Sequence, residues 1–194
     1  MQSSIQSHKN HIKNQSPISR FLVSEKGNRL LRQIVFVLSG AAVLSLLAQV
    51  HIQLPFTPVP ITGQTFGVAL ITLTWGSLAP WTVATYLTVG FLGAPIFANG
   101  MSGMAMGPTA GYLFGMMLAS ILVGNLVDRG AVKGFKSALS MAYLCSICTF
   151  AVGLPVLAQF VGYKNVLAFG FYPFLLGDLA KNLLVATLVS RIKK

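Results

Sequence analysis

In the stretch PFLLGDLAKN, Pro173 to Asn182, an acid and a base stand three residues apart inside an apolar run. At that spacing Asp178 and Lys181 share one face of a helix. The surrounding run, Phe169 to Val189, is long enough to cross a bilayer, which takes roughly 20 apolar residues. An ionisable side chain near the centre of such a helix costs about 2.5–3.5 kcal/mol on insertion scales. Two readings account for keeping both. They form an ion pair that neutralises itself between packed helices, or they serve a ligand site reached from water, with the neighbouring Asn182 as a further polar group.

Other chemistry is poorly supplied. Cys145 and Cys148 have C-x-x-C spacing but sit in an apolar helix without a second pair or a nearby His, so they read as buried packing residues. GAVKGFKS, Gly130 to Ser137, has the wrong glycine spacing for a phosphate loop, and no strand precedes it. His8 and His11 lie in the polar N-terminal stretch and His51 at the end of an apolar run, so neither a zinc site nor a Ser–His pair can be assembled. No cofactor, metal or enzymatic activity is expected.

The elements that must position the acid and base follow from composition. Of 194 residues, 54% are hydrophobic and 9% charged, with only three acids, and the mean hydropathy is +0.72. A soluble domain carries about 25% charged residues. The chain is therefore expected to be an all-α integral membrane protein. Its net charge of +11 sits in clusters flanking apolar runs, the positive-inside pattern rather than a nucleic-acid footprint. Residues 1–32 form a basic extension without the apolar core or cleavage site of a signal peptide. The extension is expected to be disordered through about Ser16 and interfacial beyond. Residues 33–194 form the transmembrane domain.

Spans are expected at about 34–50, 64–78, 81–92, from Pro108 onward, 137–160 and 169–189. Ala41 and Ser45, four apart on the first, would let another helix approach closely, either a partner subunit's or one of the same bundle. Six spans place twelve of the fourteen basic residues on one side, leaving Lys164 opposite and Lys181 in the membrane. Merging 64–93 into one span divides the charge almost evenly. The six-span arrangement obeys the charge rule, with both termini in the cytoplasm and the chain multi-pass in the cytoplasmic membrane.

That topology puts 51–62, with three prolines, and 94–108, rich in Gly, Pro and Met and without charge, on the outer side. Uncharged irregular backbone suits a place within the membrane only where it is buried against protein or lines a cavity. Asp178 then lies about 10 Å down the last span from its outer end. A capped outward-facing pocket is expected, with Asp178, Lys181 and Asn182 as polar lining and Phe97, Tyr86 and Tyr112 as apolar walls.

PVPIT (Pro58 to Thr62) with Gln64, GAPIFANG (Gly93 to Gly100), PTAGYLFG (Pro108 to Gly115) and PFLLGDLAKN, in this order and spacing, resemble the BioY family. These are the biotin-binding membrane subunits of energy-coupling-factor (ECF) transporters. The likeness runs from about residue 32 to 190. Two positions depart from the pattern: Ala110 stands where Gly is common, and Gly63 where a larger apolar residue is common. The resemblance implies a six-helix S-component fold with biotin as transported substrate, bound under the loops after spans one and three. It implies ligand contacts for Asp178 and Lys181. It also implies a transmembrane coupling subunit against the small residues of the first span, here Ala41 and Ser45, and two ATPase subunits. Biotin suits the residues: Asp178 would accept its ureido N–H groups. Lys181 would donate to the ureido oxygen or to the valerate carboxylate. Asn99 and Gln64 are candidates for polar contacts to the tail, and Phe97, Tyr86 and Tyr112 for packing on the thioether ring. Solo transport without ATPases, and a structural membrane protein with a packing ion pair, are the alternatives.

Overall fold

The computed structural model describes residues 29–103 and 107–192. Six long helices dominate: α1 (Arg29–Gln49), α2 (Gln64–Trp75), α3 (Ala79–Phe91), α4 (Ala110–Asp128), α5 (Phe135–Val161) and α6 (Leu175–Ile192). Most of the basic extension expected at residues 1–32 lies outside the described residues, but its end belongs to α1, which starts at Arg29. Among the described residues, five stretches are long and apolar enough to cross a membrane; one of them, Gln64–Phe91, comprises α2, α3 and their junction.

That junction decides the architecture. After Trp75 the backbone leaves the helix at Gly76, with φ +61° and ψ −127°, and makes one 3-10 turn to Leu78. That positive φ is strained for any residue with a Cβ, and a Cβ there would also crowd the Asp128 carboxylate, 2.0 Å away, so glycine is favoured at this turn. The other Asp128 oxygen accepts the Ser77 amide at 3.0 Å and pins the turn to the end of α4. Pro80 in the first turn of α3 loses no helical hydrogen bond. The Gln64 side chain then donates to the Tyr86 hydroxyl. In a continuous helix these residues would stand about 33 Å apart, so α2 and α3 form an antiparallel hairpin.

α2 is central and touches all five other long helices, while α4 packs most extensively on α5. α1 lies at the periphery: 17% of its apolar stretch is buried, against 61% for α2–α3. It meets the bundle through Gly40, Ala41, Leu44 and Ala48. Ala41, read from sequence as facing either a partner subunit or a helix of the same bundle, is buried in the chain's own core. Ser45 is half-buried and bonds its hydroxyl back to the Ala41 carbonyl at 2.8 Å. The small-residue stripe was spent on packing within the bundle, and the exposed face carries Val35, Leu38, Val43 and Leu46 instead.

α2 and α3 have 12 and 13 residues, and α4 has 19. At 1.5 Å per residue they are about 9–11 Å shorter than α4. Their ends at Gly76 and Ala79 are level with the C-terminal end of α4, so they stop short toward its N-terminal end. Irregular chain fills that layer. Residues 51–62 fold over it as a two-stranded ribbon, β1 (His51–Ile52) against β2 (Ile61–Thr62), with the prolines at its tip. Residues 92–103 wrap the other side and are held by Gln49, which donates to the Phe97 carbonyl at 3.0 Å.

Candidate functional site

A cavity of about 550 Å³ occupies this irregular layer, within the range of about 300–1,000 Å³ usual for small-molecule sites. α6 supplies Asp178 and Lys181 to its wall, both half-buried. They share a face but do not bond to each other. Lys181 Nζ donates to the Thr62 carbonyl at 2.7 Å and to Thr65 Oγ1 at 3.0 Å, where β2 passes into α2. Its long stem reaches toward the irregular layer because side chains lean toward the helix N-terminus. Asp178 turns to α5, where Ser146 Oγ donates to Oδ1 at 2.7 Å. Asn182 Nδ2 donates to Oδ2 at 2.9 Å and to Ser146 Oγ at 3.0 Å. Of the two readings, the self-neutralising ion pair is not what the structure shows: the two charges are anchored separately, Asp178 to α5 and Lys181 to the start of α2.

Each charge keeps bonding capacity. An ionised carboxylate has about four lone-pair sites, and two are used; an ammonium has three donors, and two are used. One acid and one base thus stay open toward the same space. The rest of the wall is mainly apolar. Phe91, Phe97, Tyr112, Phe150 and Phe174 surround it, with Thr149 and Gln64 as neutral polar groups. Tyr112 stacks on Phe174 at 6.5 Å between ring centres and donates its hydroxyl to the Gly170 carbonyl at 3.0 Å. Wall and outer connection are therefore tied together. Ribbon residues Pro58 to Pro60 and loop residues Ala98 and Gly100 to Gly103 close the outer end.

Of the residues singled out from sequence, Asp178, Lys181, Gln64, Phe97 and Tyr112 line the cavity. Three others do not. Asn182 is 2% exposed and acts behind Asp178. Tyr86 is 1% exposed and acts behind Gln64, its hydroxyl also donating to the Ile96 carbonyl at 3.2 Å. Asn99 is at the surface with φ +61° and donates to Gln53 Oε1 at 3.3 Å. Sequence reading missed Ser146, Thr149 and Phe150 on α5, and Thr62 and Thr65 beside Lys181. Ser146, Thr149 and Gly153 share one helical face, but small residues and hydroxyls are common in an apolar helix and do not by themselves mark a site. Cys145 and Cys148 are free and buried, as packing residues would be.

The fold defines the class. It matches the crystal structure of an S-component for biotin from an ECF-type ABC transporter with a TM-score of 0.78. The match covers 87% of this chain and 94% of that one at 21% identity. At such identity the likeness speaks for architecture alone: this is a helical membrane protein with the S-component fold. Sequence supplies the family, whose model matches residues 13–194 and so begins well before residue 32, and the chain belongs to the BioY family. Among its relatives, the biotin transporter BioY of Thermotoga maritima is 37% identical over 74% of this chain and 86% of its own length. The probable biotin transporter BioY of Pyrococcus horikoshii is 29% identical over 84% and 96%.

Proposed function

We propose that this protein takes up biotin across the cytoplasmic membrane, as the high-affinity substrate-binding subunit of an ECF transporter. A separate transmembrane coupling subunit and two ATPase subunits would drive the transport. The observation that carries this reading is the splayed pair. A packing ion pair would satisfy itself; here the carboxylate is anchored to α5 and the ammonium to the start of α2, each with spare capacity. A cyclic urea presents N–H donors and a carbonyl acceptor along one compact edge. Asp178 accepts the N–H, a charge-assisted hydrogen bond, and Lys181 donates to the oxygen. The thioether ring packs among Phe97, Tyr112 and Phe174.

The reading uses six crossings with both termini cytoplasmic, supported by the α2–α3 hairpin and by the basic residues at 129–136 and 191–194. The short α2 and α3 leave irregular backbone in the outer layer, which a bilayer tolerates where that backbone lines a cavity. The exposed face of α1 is left to lipid or to the coupling subunit. Isothermal titration of the purified chain with biotin tests the proposal. Tight binding is expected, and Asp178→Asn or Lys181→Ala should remove it while the helical circular dichroism stays. Wild-type protein that folds and binds no biotin would sink it in favour of a structural role. Biotin uptake in a host lacking the ATPase subunits would assign solo transport instead.

A further inference from the structure

The cavity's two ends differ in charge. Its only charged lining residues among those described are Asp178 and Lys181, one helical turn apart on α6. At the outer end the lining is Pro58, Ala98, Met101, Ser102, Gly103 and Pro108, all uncharged. Neighbouring chain offers no cation either: residues 92–108 contain no charged side chain at all. His51 belongs to the ribbon but not to the cavity wall, and its ring lies against the Gln49 carbonyl at 2.9 Å. Lys164, in the connection after α5, is exposed and does not line the cavity.

Resting on the biotin reading, we infer that the site reads the urea head and is blind to the charge of the carboxyl tail, so that it also accepts neutral carboxyl derivatives, above all amides and esters. The reverse pose, with the tail carboxylate on Lys181, brings two negative groups together. Side chains three apart on a helix have their Cβ atoms about 5–6 Å from each other, so a carboxylate on Lys181 would face Asp178 in a water-poor space. Lys181 has already committed two of its three donors to Thr62 and Thr65. One donor suits a urea oxygen and is too few for a bidentate carboxylate. With the head inward, the tail ends among neutral groups at the outer end, where water can keep its carboxylate solvated. A carboxylate that stays in water gains little from the protein, and little is lost when it is capped.

The test is a competition titration on the full chain in detergent, using biotin, biotin methyl ester and biotin amide, with wild type and Lys181→Met. Biotin should bind, and the ester and amide should follow within about fivefold, as for an exposed charge. Lys181→Met should weaken acid and ester by the same factor. Biotin binding combined with loss of about a hundredfold or more for both neutral derivatives, the signature of a desolvated charge pair, overturns the inference and leaves the biotin reading standing. A Lys181→Met penalty confined to the acid does the same. Wild-type protein that binds none of the three removes the biotin reading, and this inference with it. The ligand comparison on wild type needs no variant, so misfolding of Lys181→Met leaves it decisive.

Discussion

The inner and outer halves of the bundle solve opposite problems. In the inner half, helices approach as closely as backbone permits. A Cβ on Gly124 would lie 2.6 Å from the Gly76 carbonyl oxygen. The core there is built of small side chains, Ala69, Ala119, Ala138, Ala142 and Ala186, with Val123, Val127, Val185 and Val189. Lipid offers no hydrophobic drive for helix association, so close contact and dispersion must supply it. In the outer half α2 and α3 stop short, and the space is walled by aromatic rings, proline-rich ribbon and polar side chains. The cavity thus arises by shortening two helices while the bundle below stays tight. The packed half holds α4, α5 and α6 so that Ser146, Thr149, Asp178 and Lys181 stand at fixed places around the opening.

Separate roles predict separable damage. Asp178→Asn keeps the shape of the side chain but sets an amide against the donors of Ser146, Asn182 and the ligand. Truncating one partner of a buried charged contact costs about 2–5 kcal/mol, so biotin affinity should fall about a hundredfold or more by titration. Thermal stability should change little or rise, because an acid in hydrocarbon has been removed. Parallel loss of affinity and stability would instead join the two halves into one unit. Gly124→Val inverts the pattern. Its methyls meet the backbone of Gly76, which cannot rotate away, at the end of the bundle away from the cavity. Overpacking costs about 1–3 kcal/mol, and the upper end is expected in thermal unfolding. The fraction that remains folded should bind biotin with unchanged affinity.

How these halves read from sequence differs for a physical reason. Helix existence, the α2–α3 break at Gly76 and Pro80, and the Asp178–Lys181 face were all legible, because hydropathy, helix breakers and intramembrane charge are local signals. Partners across the bundle were not. Nothing local says that Lys181 reaches the Thr62 carbonyl, 119 residues away, or that Ser146 grips Asp178. A small hydroxyl in an apolar helix usually bonds its own backbone, as Thr149 does with Cys145, and so carries no mark of the site. Ala41 left two readings open from sequence, because a small residue on a helix face marks close approach without saying whose helix approaches; here it packs within the bundle.

A smaller effect is expected one step behind the site. Asn182→Ala and Ser146→Ala each remove a donor to the Asp178 carboxylate, a loss of about 1.5 kcal/mol for a bond to a charged group. Each should weaken biotin about tenfold. Because Asn182 also donates to Ser146, the two act as one network, and the double variant should lose less than the product of the singles. Multiplicative losses would show that Asp178 is held by independent contacts, with no clamp.

The smallest effect separates bracing from recognition within the outer half itself. Tyr86 lies outside the cavity wall, its ring 5.4 Å from that of Phe97 and its hydroxyl between the Gln64 amide and the Ile96 carbonyl. Tyr86→Phe keeps the ring contact and deletes only the hydroxyl. A neutral hydrogen bond is worth about 0.5–1.5 kcal/mol net, and a buried group left unpaired costs about 1–3, so thermal stability should drop by about 1–2 kcal/mol. Gln64 is still held from its other end, where Thr62 Oγ1 donates to Oε1 at 3.0 Å. Its place in the cavity wall should survive, and biotin affinity should stay within about threefold. An affinity loss as steep as that of Asn182→Ala would mean that the hairpin brace and the ligand contacts are a single polar network. The line between the two halves would then run along the α2–α3 pairing, above which every hydrogen bond serves the ligand.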